Sequence, residues 1–311
     1  MRKFRLPLKS NYLGFGICLI FCGAAFCLRP SHCAADDANT SSQSSSKIQQ
    51  KTLQNNQQKG IAPASTKRPY VVAIDPGHGG IDNGASIRIG ARTVTEKELT
   101  LLVAKDLAEE LRKRGFETVF TRDHDNDVSL ADRTALANRA KASIFISIHL
   151  NALEPKNKNL VPNGIETYIL NSTNDNSSKR LADLENNVLK DSKVKSASST
   201  SNIELIVKDV ILEANLKPSK ELACAVQAHL KKVARDRGIR QALFYVLLGA
   251  DMPSILIETG FIAHPDDRDR ITNPKRRRAL AVAIAQAVDD FRHRRKNPAI
   301  ARQLNQCRVK D

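Results

Sequence analysis

Tryptophan is absent from this 311-residue chain, and aromatic residues make up only 5% of it. That scarcity bears on the formal net charge of +16, which would otherwise invite a nucleic-acid partner. The positive charge is concentrated in an N-terminal segment, in Lys275-Arg276-Arg277-Arg278 and in Arg292-His293-Arg294-Arg295-Lys296. No stacking aromatics are threaded through these runs and no nucleic-acid-binding motif accompanies them, so a nucleic-acid partner is not expected. The charge points instead to an anionic surface or a negatively charged substrate, or to nothing more than solvated helix faces and a tail.

Cysteine is scarce where it would matter. Four of the six cysteines, Cys18, Cys22, Cys27 and Cys33, fall within the first 35 residues. Cys224 and Cys307 remain, one in a helical pattern and one in a polar tail, and a disulfide framework is not expected. A chain so poor in cysteine avoids unwanted oxidation in a compartment that permits disulfides.

The N-terminus points to such a compartment. Arg2, Lys3, Arg5 and Lys9 precede a mostly apolar run, Tyr12 to Leu28, and small residues close the segment at Cys33-Ala34-Ala35. This is the layout of a signal peptide over 1–35; an uncleaved anchor is the competing reading, because the run is of borderline length for a bilayer. A twin-arginine pair is missing, and neither Cys22 nor Cys27 follows a small residue, which argues against a lipoprotein. Residues 36–69 are rich in Ser, Gln, Asn and Lys, show no apolar period and read as a disordered linker. The mature protein is thus expected to be periplasmic or secreted.

From residue 70 to 293 strand-like and helix-like stretches alternate. Strands are predicted at Tyr70–Ile74, Glu117–Thr121, Ser143–Ile148, Gly164–Leu170 and Ser254–Ile257. Helices are predicted at Glu96–Arg114, Leu130–Ala140, Ser219–Arg235 and Pro274–Arg292. Such alternation argues for one α/β domain with a mainly parallel sheet covered by helices on both faces. Residues 171–217 break the rhythm with a polar composition and two short amphipathic stretches, Lys179–Lys190 and Ile203–Leu216. The segment is too long for an ordinary connection and reads as an insertion. Residues 294–311 form a basic tail.

Four stretches could carry chemistry. Val71-Val72-Ala73-Ile74-Asp75-Pro76-Gly77-His78-Gly79-Gly80 is a buried strand that stops at a proline and delivers His78 into a glycine-rich turn. Ser143-Ile144-Phe145-Ile146-Ser147-Ile148-His149-Leu150-Asn151 repeats the pattern with His149. In Thr95-Glu96-Lys97-Glu98, the spacing of Thr95 and Glu98 is that of a capping box, which leaves Glu96 in line with Leu99, Val103 and Leu107 on the buried helix face. A carboxylate there needs a partner, a proton or a metal; an ion pair with a residue such as Arg92 is the simple alternative. Two strand-end histidines and one inward glutamate make the ligand set of a catalytic zinc site with a fourth position for water. The remaining histidines, His32, His124, His229, His264 and His293, lie in the leader, a charged loop, a helix, before a proline and in the basic end. Ser254-Ile255-Leu256-Ile257-Glu258 brings an acid, Glu258, to the same sheet edge if the strands are parallel, where it can serve as general base and acid. Asp75 and Asn151 are candidates for orienting the ligands, with turn hydrogen bonding as the alternative for Asp75.

Taken in order, Asp75-Pro76-Gly77-His78-Gly79-Gly80, Thr95-Glu96-Lys97, Ser147-Ile148-His149-Leu150-Asn151 and Glu258-Thr259-Gly260-Phe261 resemble the zinc-dependent N-acetylmuramoyl-L-alanine amidases. The resemblance runs from about Tyr70 to Phe291. It implies an αβα sandwich around a mostly parallel twisted sheet, Zn2+ held by His78, Glu96 and His149, and Glu258 as catalytic acid/base. The implied reaction is hydrolysis of the amide between the lactyl group of N-acetylmuramic acid and L-alanine of the peptidoglycan stem. Arg180-Leu181-Ala182-Asp183-Leu184-Glu185-Asn186 also resembles the regulatory helix of the Gram-negative cell-separation amidases. By that resemblance Glu185 would reach the zinc until an activator with a LytM-type domain displaces the helix. Those relatives usually carry an N-terminal envelope-targeting β-domain, which residues 36–67 are too polar to form, and no repeats that bind cell wall are present. A monomer is expected. Another zinc amidohydrolase or peptidase, or a non-catalytic envelope-binding protein, are the competing readings.

Overall fold

Four β-strands of the main sheet are covered on both faces, and their order decides where the histidines go. The computed structural model describes residues 68–152, 162–186, 202–294, 296–305 and 307–310, all within the compact unit that spans 67–311. The signal peptide expected over 1–35, and the linker over 36–69 except for its last two residues, lie outside the described residues. Among the described residues no helix is long and apolar enough to cross a membrane.

In chain order the elements are β1 (Val71–Pro76), the hairpin β2 (Ser86–Ile89) and β3 (Arg92–Thr95), α1 (Glu96–Lys113), β4 (Glu117–Phe120), α2 (Leu130–Arg139), β5 (Ile144–Asn151) and β6 (Ile165–Leu170). There follow α3 (Asn176–Asn186), α4 (Asn202–Leu230), β7 (Asp236–Ala242), α5 (Tyr245–Leu248), β8 (Ser254–Phe261), α6 (Pro265–Thr272), α7 (Pro274–His293) and α8 (Pro298–Asn305). The six-stranded sheet has the order β4-β1-β5-β8-β6-β7. Its first four strands are mutually parallel, β6 runs antiparallel to β8, and β7 is parallel to β6.

Strand side chains alternate between faces. One face carries Val72 and Ile74, Ile144, Ile146 and Ile148, and Ile255 and Ile257, which form one core with apolar residues of α1, α4 and α7. The other face carries Ala73, Phe145, Tyr168 and Leu256, which pack with residues of α2, α3 and α5. On this second face the period-two stripe turns from apolar to polar toward the carboxyl edge: Ala73 then Asp75, Phe145 then Ser147 and His149, Leu256 then Glu258. The registers Asp75↔Ser147 and His149↔Glu258 bring these polar ends level.

The structure departs from the sequence expectation in several places. The β2–β3 hairpin and β7 were not foreseen. Four-residue strands leave little periodicity to read, and β7 is a charged edge strand, Asp-Arg-Gly-Ile-Arg-Gln-Ala, without clean alternation. The helix expected over Ser219–Arg235 ends at Leu230, and its upstream limit is also moved. Pro218 suggests a break, yet α4 runs through it as one 29-residue helix. The insertion expected over 171–217 therefore has no boundary at its C-terminal end, because its last part is continuous with a core helix.

The basic tail is also corrected. Arg294 pairs with Glu221 at 2.6 Å, the Arg292 guanidinium lies 4.9 Å from the centroid of Phe116, and Leu304 of α8 is buried. Val309 bridges to Ile239 in parallel, with the Lys310 N–H donating to the Ile239 carbonyl at 2.7 Å, so the C-terminus covers part of the exposed edge of β7. Cys224 and Cys307 form a disulfide across 83 residues, with Cα atoms 6.0 Å apart. The folding back of the tail onto α4, which composition does not reveal, is what brings the two thiols together.

A candidate metal centre and active site

Each functional side chain is delivered by an element that has its own reason to end where it does. Pro76 terminates β1, and the Gly77 N–H still donates to the Ile148 carbonyl at 2.9 Å, which holds the turn against β5. His78 then takes φ +61°, a left-handed conformation rare for a residue with a Cβ. It is fixed there from outside: Arg133 Nη2 donates to the His78 carbonyl at 2.8 Å, and Arg122 Nη2 and Thr100 Oγ1 donate to the Gly77 carbonyl at 2.7 and 3.0 Å. Both arginines are buried. Burial, with the neighbouring Arg133 charge, pulls Arg122 down to about 10.

Glu96 opens α1 with its side chain fully buried, in line with buried Leu99, Val103 and Leu107. The Glu98 half of the capping box is present, the Thr95 N–H donating to the Glu98 carboxylate at 3.4 Å. Glu96 Oε2 accepts from the Ala85 N–H and Oε1 from the Leu150 N–H, both at 2.8 Å, so backbone groups from the bend before β2 and from β5 aim the carboxylate. Gly84 is required beside it, because at φ +60° a Cβ there would meet the His78 ring and Glu96 Oε2.

His78, Glu96, His149 and Glu185 converge. Glu96 Oε1 is 3.1 Å from both His78 Nε2 and His149 Nδ1, and Glu185 Oε2 is 3.2 Å and 3.0 Å from the same two atoms. One ligand atom from each residue lies within 4.8 Å of every other. All four side chains are buried. Asp82 accepts from His78 Nδ1 at 2.7 Å. An ionised carboxylate has no proton to give, so in the neutral ring the proton would sit on Nδ1 and leave the lone pair of Nε2 to face the cluster.

The electrostatics follow from burial. Burial pushes the Glu96 carboxyl up, but the two imidazoles outweigh it and hold it well below the usual carboxylate range. Burial pulls both histidines down, and the Glu96 and Glu185 carboxylates reverse this, raising His78 well above its ordinary value and His149 to about 10. Two buried carboxylates thus demand two positive charges, which either two imidazoliums or one divalent cation with neutral imidazoles supplies. The donor set of two imidazoles and two carboxylates is one that zinc accepts. His78 Nε2 and Glu185 Oε2 are buried and make no hydrogen bond of good geometry, although both lie within the converging set of ligand atoms. The residues present therefore fit a divalent metal.

Glu258 lies beside this cluster, fully buried, with neither carboxylate oxygen hydrogen-bonded. Burial and the Glu185 carboxylate push its pKa well above the ordinary range, with Glu96 and Glu166 adding to the effect. Glu166 is its register partner on β6 and is itself held by Tyr168 Oη at 2.7 Å and Arg237 Nε at 2.5 Å.

Asp75 does not touch the imidazoles. It accepts from Thr121, Ser147 and Arg133 at 2.5, 2.6 and 2.8 Å, and so acts on His78 through Arg133. Asn151 is buried at the end of β5, where its carbonyl accepts from the Ile262 N–H at 3.2 Å. Sequence reasoning missed Asp82, Arg122, Arg133 and Glu166. Asp82 sits four residues after His78 and was within reach of inspection. A buried arginine or glutamate reads in sequence like any surface charge.

Fold and site together define a mixed α/β protein with a buried centre suited to a divalent ion and an unpaired acid beside it, the arrangement of a metal-dependent hydrolase. A family model described as N-acetylmuramoyl-L-alanine amidase, Amidase_3, matches residues 72–290. The N-acetylmuramoyl-L-alanine amidase AmiA of Escherichia coli (strain K12) is 31% identical over 228 residues, covering 72% of this chain and 76% of that one. The amidase LytC of Bacillus subtilis (strain 168) is 34% identical over 221 residues, 70% of this chain and 35% of that one. Among solved structures, an N-acetylmuramoyl-L-alanine amidase from Clostridium difficile 630 superposes with a TM-score of 0.54 at 35% identity, covering 72% of this chain and 97% of that one. The chain belongs to the N-acetylmuramoyl-L-alanine amidase family.

Proposed function

We propose that this exported protein is a zinc-dependent peptidoglycan amidase, cleaving the bond between the lactyl group of N-acetylmuramic acid and the L-alanine of the stem peptide. The observation that carries the reading is the convergence of His78, Glu96 and His149 with the unpaired Glu258 in register beside His149. His78, Glu96 and His149 would hold the ion. Zinc, when bound, supplies Lewis acidity toward the scissile carbonyl and lowers the pKa of water.

Glu258 moves the protons. Its raised pKa suits a group that must first accept a proton and then return it to the departing alanine amine. The lack of hydrogen bonds to its carboxylate leaves both oxygens available for that exchange.

Glu185 restrains the site. Carried by α3, its carboxylate lies 3.2 and 3.0 Å from the His78 and His149 nitrogens, where it would compete with water and substrate for a bound ion. Asp175 N-caps that helix, accepting from the Ser178 N–H, and pairs with Arg240 of β7 at 3.0 Å. At the other end Asn186 Nδ2 donates to the Leu243 carbonyl, and Asn186 Oδ1 accepts from the Tyr245 N–H. An activator, by the family resemblance one with a LytM-type domain, would have to displace these contacts.

The test is digestion of purified sacculi and identification of the new termini by mass spectrometry. Stem peptides with free L-alanine amino groups are expected; new termini at any other bond would overturn the assignment.

A further inference from the structure

On the sheet face opposite the metal centre, a cavity of about 530 Å3 lies between α4, the ends of β6 and β7, and the C-terminal segment. Its volume is in the range of small-ligand sites. β6 presents different side chains to the two sides. Ile169 lines the cavity, while its neighbour Tyr168 packs in the core on the other face.

The lining is amphipathic. Ile169, Leu216, Leu304 and Val309 provide apolar surface. Glu213, Lys217 and Lys220 follow one another at i, i+4 and i+7 on one face of α4 and also line the cavity. None of these three charges has an ion-pair partner among the described residues. This sets the two lysines apart from the run at 276–278, where Arg276, Arg277 and Arg278 are bonded to Asp266, Asp269, Asp106, Glu109 and Glu110. Glu221 also lines the cavity but is paired with Arg294 at 2.6 Å, which leaves two ammonium groups and one carboxylate unpaired above an apolar floor; these complement a peptide that carries free carboxylates, an ammonium group and aliphatic side chains. A neutral sugar or a stacked base would leave those charges unanswered.

We propose that this cavity is a second, non-catalytic site for a peptidoglycan stem peptide, helping to hold the enzyme on the wall. The identity of the ligand rests on the amidase reading; the existence of the site does not. In this arrangement Lys217 and Lys220 take the peptide carboxylates and Glu213 its free amine. The C-terminal segment forms one wall, kept in place by the Cys224–Cys307 disulfide and the Lys310 to Ile239 hydrogen bond.

The experiment is a calorimetric titration of the full protein with a synthetic diaminopimelate-containing stem tetrapeptide, run beside hydrolysis of a soluble muropeptide. Replacing both lysines, Lys217→Glu with Lys220→Glu, should weaken peptide binding by at least about tenfold while muropeptide hydrolysis stays within about twofold of the parent. Lys217→Gln with Lys220→Gln should give a smaller loss in the same direction, and a tetrapeptide with amidated carboxyls should bind the parent as weakly as the free peptide binds the charge-reversed variant. Undiminished peptide binding by the charge-reversed variant, or no binding by the parent, overturns the site. Absence of muropeptide hydrolysis by Glu185→Ala protein, in which the restraint is removed, would instead count against the catalytic reading, with the titration still deciding the cavity. A variant that keeps the tetrapeptide but loses a protein partner would show that the cavity serves that partner, and would equally overturn the proposal.

Discussion

Buried charges around the site constrain one another residue by residue. In the absence of a cation, His149 keeps its proton to about pH 10 and His78 is raised as well, because Glu96 and Glu185 face them. A metal needs neutral imidazoles, so at pH 7 its uptake must expel protons. Zinc binding is expected to release on the order of two protons, and its affinity should fall as pH falls. Calorimetry in buffers of different ionisation heat measures both, and uptake without proton release would contradict the assigned ligands. Glu258→Gln should retain zinc, measured by metal analysis, yet lose about 10²- to 10⁴-fold in turnover. Arg133→Ala would leave Asp75 as a buried charge without its counterion and free the His78 carbonyl. The expected cost is about 3–5 kcal/mol by denaturant unfolding, with weaker zinc binding, whereas Arg139→Ala on the same helix should change little.

At the scale of elements, α3 is the part whose removal should raise activity rather than lower it. Leu181 and Ala182 pack in the core with Tyr168, Phe244 and Val246, while Glu185 reaches the imidazoles. Glu185→Ala is expected to increase the basal rate on sacculi several-fold while leaving the melting temperature within a few degrees; an unchanged or lower rate in folded protein would argue against restraint by this helix. Excising 171–217 as a block is a poorer test, because α4 is continuous from Asn202 to Leu230 and supplies Leu222, Ala223 and Val226 to the core. The apolar strands were legible in sequence because a run such as Ile144-Phe145-Ile146-Ser147-Ile148 has few other uses. β7 was not, since an edge strand needs no apolar alternation and its pairing partner, β6, lies more than sixty residues away.

For the whole molecule, the high net charge is less available than composition suggests. The basic start of α7 is tied to acids of α1 and α6, and Arg292 and Arg294 are engaged by aromatic rings and Glu221. The disulfide joins the last residues to a core helix. Cys307→Ser is expected to lower stability by about 4 kcal/mol if the entropy of the closed loop dominates. That corresponds to a melting temperature lower by about 10 °C, read by calorimetry with and without reductant. Equal melting temperatures for oxidised and reduced protein would show that the C-terminal segment docks without the bond.

The sequence by itself determined the α/β alternation, the two strand-end histidines, the inward Glu96 and the acid at Glu258, because each is fixed by local rules: a strand halted by proline or ending in a polar residue, and a helix whose first turn faces inward. Only the tertiary structure decided which of these meet. The parallel register of β1, β5 and β8 sets His149 level with Glu258 and holds the turn of His78 against β5. The packing of α3 brings Glu185 to both imidazoles from more than thirty residues away. Two buried arginines hold a left-handed histidine in place, and the return of the C-terminus to α4 joins two cysteines that composition kept apart. Those contacts depend on distance in space, which a one-dimensional pattern of residue types does not encode.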